Sequence, residues 1–139
     1  MLCGEYRHAL DAKGRVTFPA KLREDLGDSF VITRGLDNCL SVYPREEWDK
    51  LQEKIAALPS AKSRGLQRFV FGGACMPEPD KQGRVLIPAT LRDYAALEKD
   101  VTIVGLSRHA EIWDSAKWEA NNALLTSDMI ARQMDELDF

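Results

Sequence analysis

Short runs rich in apolar residues, some of which alternate with polar ones, predict two matching sets of short strands along the chain. A period of two residues is typical of a strand with one buried face. In the first half of the 139 residues these runs lie at 6–10, 16–18, 30–33 and 39–43. In the second half they lie at 74–79, 85–87, 101–104 and 110–113. The common order of the two sets indicates two copies of one strand arrangement.

Apolar residues at helical spacing predict helices between these strands. Leu22 and Leu26 lie one turn apart in a short helix that Gly27 ends, and Leu91 and Ala95 repeat the spacing. Further helices are predicted from Trp48, Leu51, Ile55 and Leu58, from residues 64–71, and from Trp118, Asn122, Leu125 and Met129. Helices that alternate with mostly antiparallel strands predict an α+β fold.

One thirteen-residue segment occurs twice and identifies the chain as an internal duplication. Residues 11–23 read DAKGRVTFPAKLR and residues 80–92 read DKQGRVLIPATLR, with eight positions identical. Similarity at a fixed offset is the signature of a repeated structural unit. We therefore predict two repeats, at residues 1–70 and 71–139, with helices at the end of each.

Composition and charge are those of an ordinary soluble protein with an acidic end. The net charge is −3, and residues 111–139 hold seven acidic against two basic side chains. The remainder is slightly basic, which permits a local basic surface. The three cysteines form no CxxC pair, no signal peptide is visible, and no apolar run is long enough to span a membrane. These features predict a cytoplasmic protein.

Catalytic and metal-binding motifs are absent from the sequence. The two histidines, His8 and His109, lack metal-ligand spacing, and no nucleophile-elbow, phosphate-loop or dinucleotide-binding motif occurs. Asp11 and Asp80 each lie close to a basic residue of their own repeat, which favours the ionised carboxylate over a general acid. We therefore predict neither catalytic residues nor metal ligands nor a cofactor.

Basic side chains gather around the two Asp-x-x-Gly-Arg segments. Those of the first repeat are Arg7, His8, Lys13, Arg15, Lys21 and Arg23, and those of the second include Lys81 and Arg84. Arginine matches phosphate oxygens and the O6/N7 edge of guanine, so these residues are candidates for DNA contact. Asp11, Gly14, Asp80 and Gly83 are predicted to shape the turns. The alternative is that aspartate, glycine and arginine serve only to hold each turn.

The sequence resembles the MraZ family of bacterial transcriptional regulators, which are related in fold to the AbrB-type swapped-hairpin DNA-binding proteins. The segments that carry the resemblance are residues 4–11, both Asp-x-x-Gly-Arg turns with their Pro-Ala-x-Leu-Arg helices, residues 33–40, 43–44, 47–48 and 111–113. Two departures occur: Pro77 and Pro79 interrupt the strand before the second turn, and Gln82 replaces the equivalent of Lys13. The second turn is therefore expected to be the less basic.

The resemblance implies a fold, a function and an assembly. The implied fold is two tandem hairpin-and-helix repeats that form an AbrB-like barrel, of the double-split β-α-β type, with C-terminal helices. The implied function is sequence-specific repression, at repeated promoter sites in double-stranded DNA, of the division and cell-wall gene cluster that encodes the protein. A ring-shaped homo-oligomer, an octamer or similar, would act at the nucleoid. A different class also fits the duplicated sequence: an oligomeric assembly protein that binds no DNA.

Overall fold

The computed structural model describes residues 1–138 and contains seven strands and six α-helices within them. The strands are β1 (Leu2–Ala9), β2 (Arg15–Thr17), β3 (Phe30–Arg34), β4 (Leu40–Pro44), β5 (Arg84–Leu86), β6 (Asp100–Ser107) and β7 (Ala110–Asp114). The helices are α1 (Ala20–Leu26), α2 (Arg45–Ala56), α3 (Ser60–Val70), α4 (Ala89–Tyr94), α5 (Ser115–Ala123) and α6 (Ser127–Glu136). The predicted α+β class is confirmed.

The strands form one five-stranded sheet and one two-stranded ribbon, and each contains strands of both repeats. The order in the larger sheet is β1-β6-β7-β4-β3, and β2 pairs with β5. All of these pairings are antiparallel. The two repeats are therefore interlocked, as the swapped-hairpin resemblance implies.

The two strands that flank the first turn do not pair with each other. β1 pairs along its whole length with β6, from Leu2 opposite Ser107 to Ala9 opposite Asp100. β2 pairs instead with β5, and Val16 lies directly opposite Val85. Both valines are buried, so the ribbon gains an apolar face only when the two repeats combine. The first turn therefore forms within one repeat, whereas the strands on either side of it pair with strands of the other repeat.

A single main core lies between the sheet, the ribbon and helices α1 and α4. It joins the ribbon valines to Leu22 and Leu26 of α1, Leu91 of α4 and side chains of the larger sheet. Phe18, which follows β2, stacks on Phe30 of β3 with ring centroids 5.6 Å apart. Since both repeats contribute to this core, neither buries it alone.

A second apolar cluster lies on the outer face of the sheet, beneath α2 and α3. Trp48 and Ile55 of α2, Val70 of α3 and Val31 of β3 form its buried centre. The hydroxyl of Thr33 donates a hydrogen bond to the carbonyl of Val70, which attaches the end of α3 to β3. The first repeat therefore holds both of its trailing helices against the sheet.

Two predicted elements differ in the structure. The continuous helical stripe from Trp118 to Met129 is wrong, because α5 ends at Ala123 and α6 starts at Ser127. Thr126 stands before α6 and its side chain accepts a hydrogen bond from the backbone N–H of Met129, so a new N-cap divides the stripe. The predicted strand at residues 74–79 shrinks to a single bridge between Cys75 and Ile32. The prolines within that run limit its ladder bonds.

Candidate nucleic-acid interface

The first Asp-x-x-Gly-Arg segment forms a turn in which one carboxylate organises the backbone. Oδ1 of Asp11 accepts hydrogen bonds from the backbone N–H groups of Lys13 and Arg15, both at 2.9 Å. Oδ2 of Asp11 accepts a bond of 2.7 Å from Nε of Arg15. The N–H of Gly14 donates to the carbonyl of Asp11 at 3.0 Å and closes the turn. The motif therefore folds through bonds among five consecutive residues.

The second segment forms the same turn. Oδ1 of Asp80 accepts from the N–H groups of Gln82 and Arg84 at 2.9 Å each, and Oδ2 accepts from Nε of Arg84 at 2.7 Å. The N–H of Gly83 donates to the carbonyl of Asp80 at 2.9 Å. The repeated sequence thus produces a repeated geometry, with an arginine held at the same place in each copy.

These bonds keep both aspartates ionised. The pKa of Asp11 lies below its usual 3.8, chiefly because of the hydrogen bond from the N–H of Arg15; desolvation opposes this effect and the Arg15 side chain reinforces it. The pKa of Asp80 is lowered in the same way, chiefly by the N–H of Arg84. A carboxylate held in its charged form cannot serve as a general acid near neutral pH. The aspartates act here as fixed acceptors that orient arginine.

An arginine from each repeat supports the turn of the other repeat. Gly14 and Gly83 are buried and have φ values of +80° and +75°, which favour glycine. A Cβ atom placed on Gly14 would lie 2.6 Å from Cζ of Arg92, and one on Gly83 would lie 2.6 Å from Cζ of Arg23. The guanidinium groups therefore lie directly against the turn glycines. This reciprocal contact ties the turns to helices α1 and α4.

The two supporting arginines differ in their hydrogen bonds. Nε of Arg23 donates to the carbonyl of Phe18 at 3.0 Å. Nε of Arg92 is buried and has no hydrogen-bond partner within residues 1–138. A buried donor without a partner costs free energy, so the first turn is supported less favourably than the second.

The ribbon of β2 and β5 presents a mixed polar face to solvent. Alternation places Arg15 and Thr17 opposite the buried Val16, and Arg84 and Leu86 opposite the buried Val85. In the antiparallel register Arg15 lies across from Leu86, and Thr17 across from Arg84. The ribbon thus carries two arginines, a hydroxyl and an apolar side chain on one outward face.

The length of the ribbon suits the major groove of DNA. The N–H of Ile87 donates to the carbonyl of Gly14, and the N–H of Phe18 donates to that of Gly83, so the turns lie at opposite ends. The four residue-to-residue steps from Gly14 to Phe18 extend about 13 Å at ~3.3 Å per residue. The major groove is about 12 Å wide and admits a two-stranded ribbon.

The structure separates the predicted DNA-contacting residues into two groups. Lys13 and Lys81 are exposed on the two turns, and Lys21 is exposed on α1. Arg15 and Arg84 are partly exposed, with 28% and 34% of their side-chain surface accessible. These five side chains belong to the ribbon, its turns or the adjacent helix.

The remaining predicted residues have other surroundings. Arg7 of β1 forms an ion pair with Glu119 of α5. Arg7 and His8 line a cleft that also contains Glu98, Lys99, Asp100, Asp114 and Glu119, so acids outnumber bases there. Arg23 donates a hydrogen bond to the carbonyl of Phe18 and lies against Gly83 of the second turn. The structure therefore does not bring Arg7, His8 or Arg23 onto the outward face of the ribbon.

Sequence reasoning did not select Thr17 or Leu86 for the candidate site. Thr17 is exposed, and 54% of the surface of Leu86 is accessible. The alternation of Arg15, Val16 and Thr17 contained the signal, since a buried valine places both neighbours on the opposite face. Neither side chain is charged, so the basic character that marks the other candidates does not mark these two.

Two other classes of site find no support in the described part of the chain. Within residues 1–138, no group of three or more histidine, cysteine or acidic side chains is arranged to hold a metal ion. None of the helices there is both long and apolar enough to cross a membrane.

Comparison with protein families agrees with the duplication. The family model described as "MraZ protein, putative antitoxin-like" matches the chain twice, over residues 1–69 and 70–136. The chain belongs to the MraZ family. Each of the two MraZ matches contains one Asp-x-x-Gly-Arg turn, one ribbon strand and one supporting arginine.

Similar proteins extend this family relationship over the whole chain. A protein from Heliobacterium modesticaldum called Transcriptional regulator MraZ is 51% identical over 142 residues, covering 99% of each chain. One of the same name from Natranaerobius thermophilus is 58% identical over 121 residues, covering 86% of this chain and 85% of its own. Another from a Thermoanaerobacter species is 50% identical over 142 residues, again covering 99% of each.

Proposed function

We propose that the protein is a sequence-specific DNA-binding repressor that acts on the promoter of its own division and cell-wall gene cluster. Relatives about 50% identical over the full length carry the name transcriptional regulator. The observation that carries the proposal is the outward face of the ribbon, where two arginines are held in matching positions by aspartates. An arginine fixed before binding loses less conformational freedom on contact with a base.

The ribbon would enter the major groove and read base edges with Arg15 and Arg84. Among residues 1–138 each guanidinium bonds its aspartate through Nε. The two terminal nitrogens would make the bidentate contact that arginine forms with guanine O6 and N7. Thr17 and Leu86 lie beside the arginines and would contact bases or thymine methyl groups.

Lysines around the ribbon would contact phosphates. Lys13 and Lys81 lie on the turns and Lys21 on α1. Their flexible ammonium groups would contact phosphates of the DNA backbone, and such contacts do not depend on the base sequence. Arg23 and Arg92 would act as positioning residues, because each lies against the turn of the other repeat. Arg7 and His8 are left out of this interface, since acidic side chains surround them.

Assembly would compensate for the small contact that one ribbon makes. Each chain offers one short ribbon, and its net charge is −3. A ring-shaped homo-oligomer, an octamer or similar, would present several ribbons to repeated promoter sites and raise their effective concentration. The protein would then work as a non-enzymatic regulator in the cytoplasm, at the nucleoid. Residues 1–70 and residues 71–139 would be the two repeating structural units of each subunit.

A second candidate function is an assembly protein that binds no DNA. The observation that favours it is the pairing of each arginine with the aspartate of its own turn, which partly satisfies both charges. In that case the arginines would stabilise turns only, and the outward face would have no ligand.

The deciding experiment compares arginine variants on DNA from upstream of the gene and on unrelated DNA of equal length. Arg15→Ala and Arg84→Ala should each weaken specific binding by about 5- to 150-fold, since a bidentate base contact contributes ~1–3 kcal/mol. Arg15→Lys should retain non-specific binding while losing preference for the upstream fragment.

A matched control removes an equivalent ion pair elsewhere. Arg45 on α2 bonds Asp49 through Nε at 3.1 Å, four residues apart as in the turns. Arg45→Ala should leave DNA binding unchanged. Wild-type affinity in both Arg15→Ala and Arg84→Ala, with wild-type melting temperatures, would refute the proposal. Wild-type protein with no preference for its upstream DNA would favour the assembly function.

A further inference from the structure

The outer edge of β3 is open, whereas the equivalent edge in the second repeat is covered by a strand. β6 is the counterpart of β3, and it pairs along its whole length with β1. On the side away from β4, β3 forms a single bridge, between Ile32 and Cys75. The chain forms a turn at residues 71–73 instead of extending this ladder. The edge of β3 after Ile32 therefore lacks a neighbouring strand.

The backbone of Arg34 faces this open edge. The N–H of Gly35 donates to the carbonyl of Cys39 at 2.8 Å, so alternation turns the N–H and C=O of Arg34 away from β4. Gly105 has the equivalent position in β6, two residues after a buried isoleucine, and it pairs with Gly4 of β1. No such pairing reaches Arg34 within residues 1–138.

A cleft of about 300 Å³ lies at this edge, between β3, the turn after α3 and helix α4. Its lining contains no acidic residue and consists of Arg34, Gly72, Gly73, Thr90, Leu91 and Tyr94. The hydroxyl of Tyr94 donates to the carbonyl of Gly35 at 2.6 Å, which fixes the ring as one wall. The volume is at the lower end of the range for small-molecule sites.

Uncharged neighbours hold the guanidinium of Arg34. Its Cζ atom lies 5.5 Å from the centroid of the Phe69 ring, a cation–π contact. A Cβ atom placed on Gly73 would lie 2.6 Å from Nε, so the side chain lies directly against this glycine. In the described chain Arg34 forms no ion pair, and its partly buried side chain donates no hydrogen bond. The cleft therefore contains a positioned positive charge without an acceptor.

Two neutral donors line the same cleft. The N–H of Gly73 and the hydroxyl of Thr90 have no hydrogen-bond partner among residues 1–138. A guanidinium matches the two oxygens of a carboxylate or phosphate group, and hydrogen bonds to a charged group are stronger than neutral ones. The chemistry of the lining thus favours an oxyanion.

We propose that the cleft beside Arg34 binds a small anion from solution, either a carboxylic acid or a phosphate monoester. The guanidinium would contact two oxygens of the anionic group, and Gly73 and Thr90 would donate to it. Leu91 and the ring of Tyr94 would contact the carbon atoms of the ligand. This inference goes beyond DNA binding, because none of these residues belongs to the ribbon or its turns.

Each chain would contain one such site. In the second repeat, a Cβ atom placed on Gly105 would lie 2.3 Å from the backbone nitrogen of Cys3. β1 therefore fills the space that is open beside Arg34 in the first repeat.

The first test measures binding of inorganic phosphate to the full chain by ³¹P NMR line broadening at constant ionic strength. Arg34→Ala should weaken the affinity by about 10- to 150-fold, the range for loss of a hydrogen bond between charged groups. Arg64→Ala is the matched control, because Arg64 is exposed on α3 outside the cleft and its loss changes the net charge equally. Equal weakening in both variants, or wild-type affinity in Arg34→Ala, would overturn the proposal.

The second test keeps the arginine and moves it. Gly73 does not have a positive φ, so its backbone permits alanine, but the new Cβ would displace the guanidinium. Gly73→Ala should therefore weaken phosphate binding, as should Arg34→Lys, because lysine lacks the planar fork. Gly65→Ala is the control, since a Cβ atom there meets no atom within 4 Å. Melting temperatures without phosphate identify any variant that fails to fold, and wild-type affinity in both folded Gly73→Ala and Arg34→Lys would contradict the proposed contact.

Two other sources of an oxyanion give different results with the same variants. If an acidic side chain of a second copy occupies the cleft, Arg34→Ala lowers the mass in light scattering while the wild type binds no phosphate. If a DNA phosphate occupies it, Arg34→Ala weakens DNA binding and reduces the salt-dependence slope, again without phosphate binding by the wild type. Either result would overturn the small-anion site. Loss of phosphate binding in Arg34→Ala, with unchanged mass and DNA affinity, would support it whatever the outcome of the DNA-binding proposal.

Discussion

Gly14→Ala tests whether Arg92 supports the first turn. Gly14 has a φ of +80°, and placing an alanine at such a backbone angle costs roughly 1–2 kcal/mol. The new methyl group would also lie 2.6 Å from Cζ of Arg92, whereas carbon atoms in contact are normally about 3.5–4.0 Å apart. The guanidinium must therefore move by roughly 1 Å and lose part of its packing against the turn.

The magnitude of that contact is measured by a double-mutant cycle with Arg92→Ala. Coupling energies between residues in contact are about 0.5–3 kcal/mol, and the flexible end of arginine places this pair near the lower limit. The total loss of about 2 kcal/mol should lower the melting temperature of this 139-residue chain by roughly 6–8 °C. Urea unfolding at one fixed protein concentration gives the free energies.

The duplication provides an internal control for this cycle. Gly83 contacts Arg23 and not Arg92, so Gly14 should couple with Arg92 and Gly83 with Arg23. The crossed pairs, Gly14 with Arg23 and Gly83 with Arg92, should be additive to within about 0.3–0.5 kcal/mol. Equal coupling in all four cycles, or none in any, would refute the reciprocal support.

Two further predictions concern pH and salt. Because folding lowers the pKa of Asp11 and Asp80 below 3.8, their bonds should stabilise the protein above that pH and lose the contribution as pH falls through the folded pKa. The melting temperature of the wild type should therefore exceed that of the Asp11→Asn, Asp80→Asn variant at pH 7, and this difference should shrink as the pH is lowered to 3. A difference in melting temperature that stays constant over this range would contradict the prediction. Lys13→Ala should weaken binding to all DNA and reduce the salt-dependence slope by about 0.9 per lost phosphate contact in DNA titrations at several salt concentrations. Lys81→Ala should do less because Glu78 and Asp80 are close in sequence, and a larger effect at Lys81 would show that the second turn dominates.

Local interactions made much of the fold predictable. The short apolar-rich runs located most strands, and the positions of leucines located α1 and α4. The turns were equally accessible, because every bond that shapes them joins residues no more than four positions apart. A second copy of the same residues at 80–84 therefore folds into the same turn.

The partners of these local elements depend on contacts between distant residues. Alternation around Val16 indicates that a strand exists and which face is buried, but it contains no information that Val85 lies opposite. The environment of Arg23 is equally hard to predict from the sequence. Its position beside other basic residues suggests a contact with DNA, whereas the fold places its guanidinium against Gly83. Similarly, the stripe through α5 and α6 was interrupted by a capping interaction of Thr126 that competes with helix continuation.

The duplication, the α+β class, both turns and the family resemblance can be predicted from the sequence, since each depends on short-range bonds or on residue identity. Strand pairing, the basic residues that share the ribbon with Thr17 and Leu86, and the arginines that pack against the turns depend on the packing of the whole chain. The physical reason is that burial of the main core requires both repeats at once. Only their combined packing brings residues about 70 positions apart onto one surface.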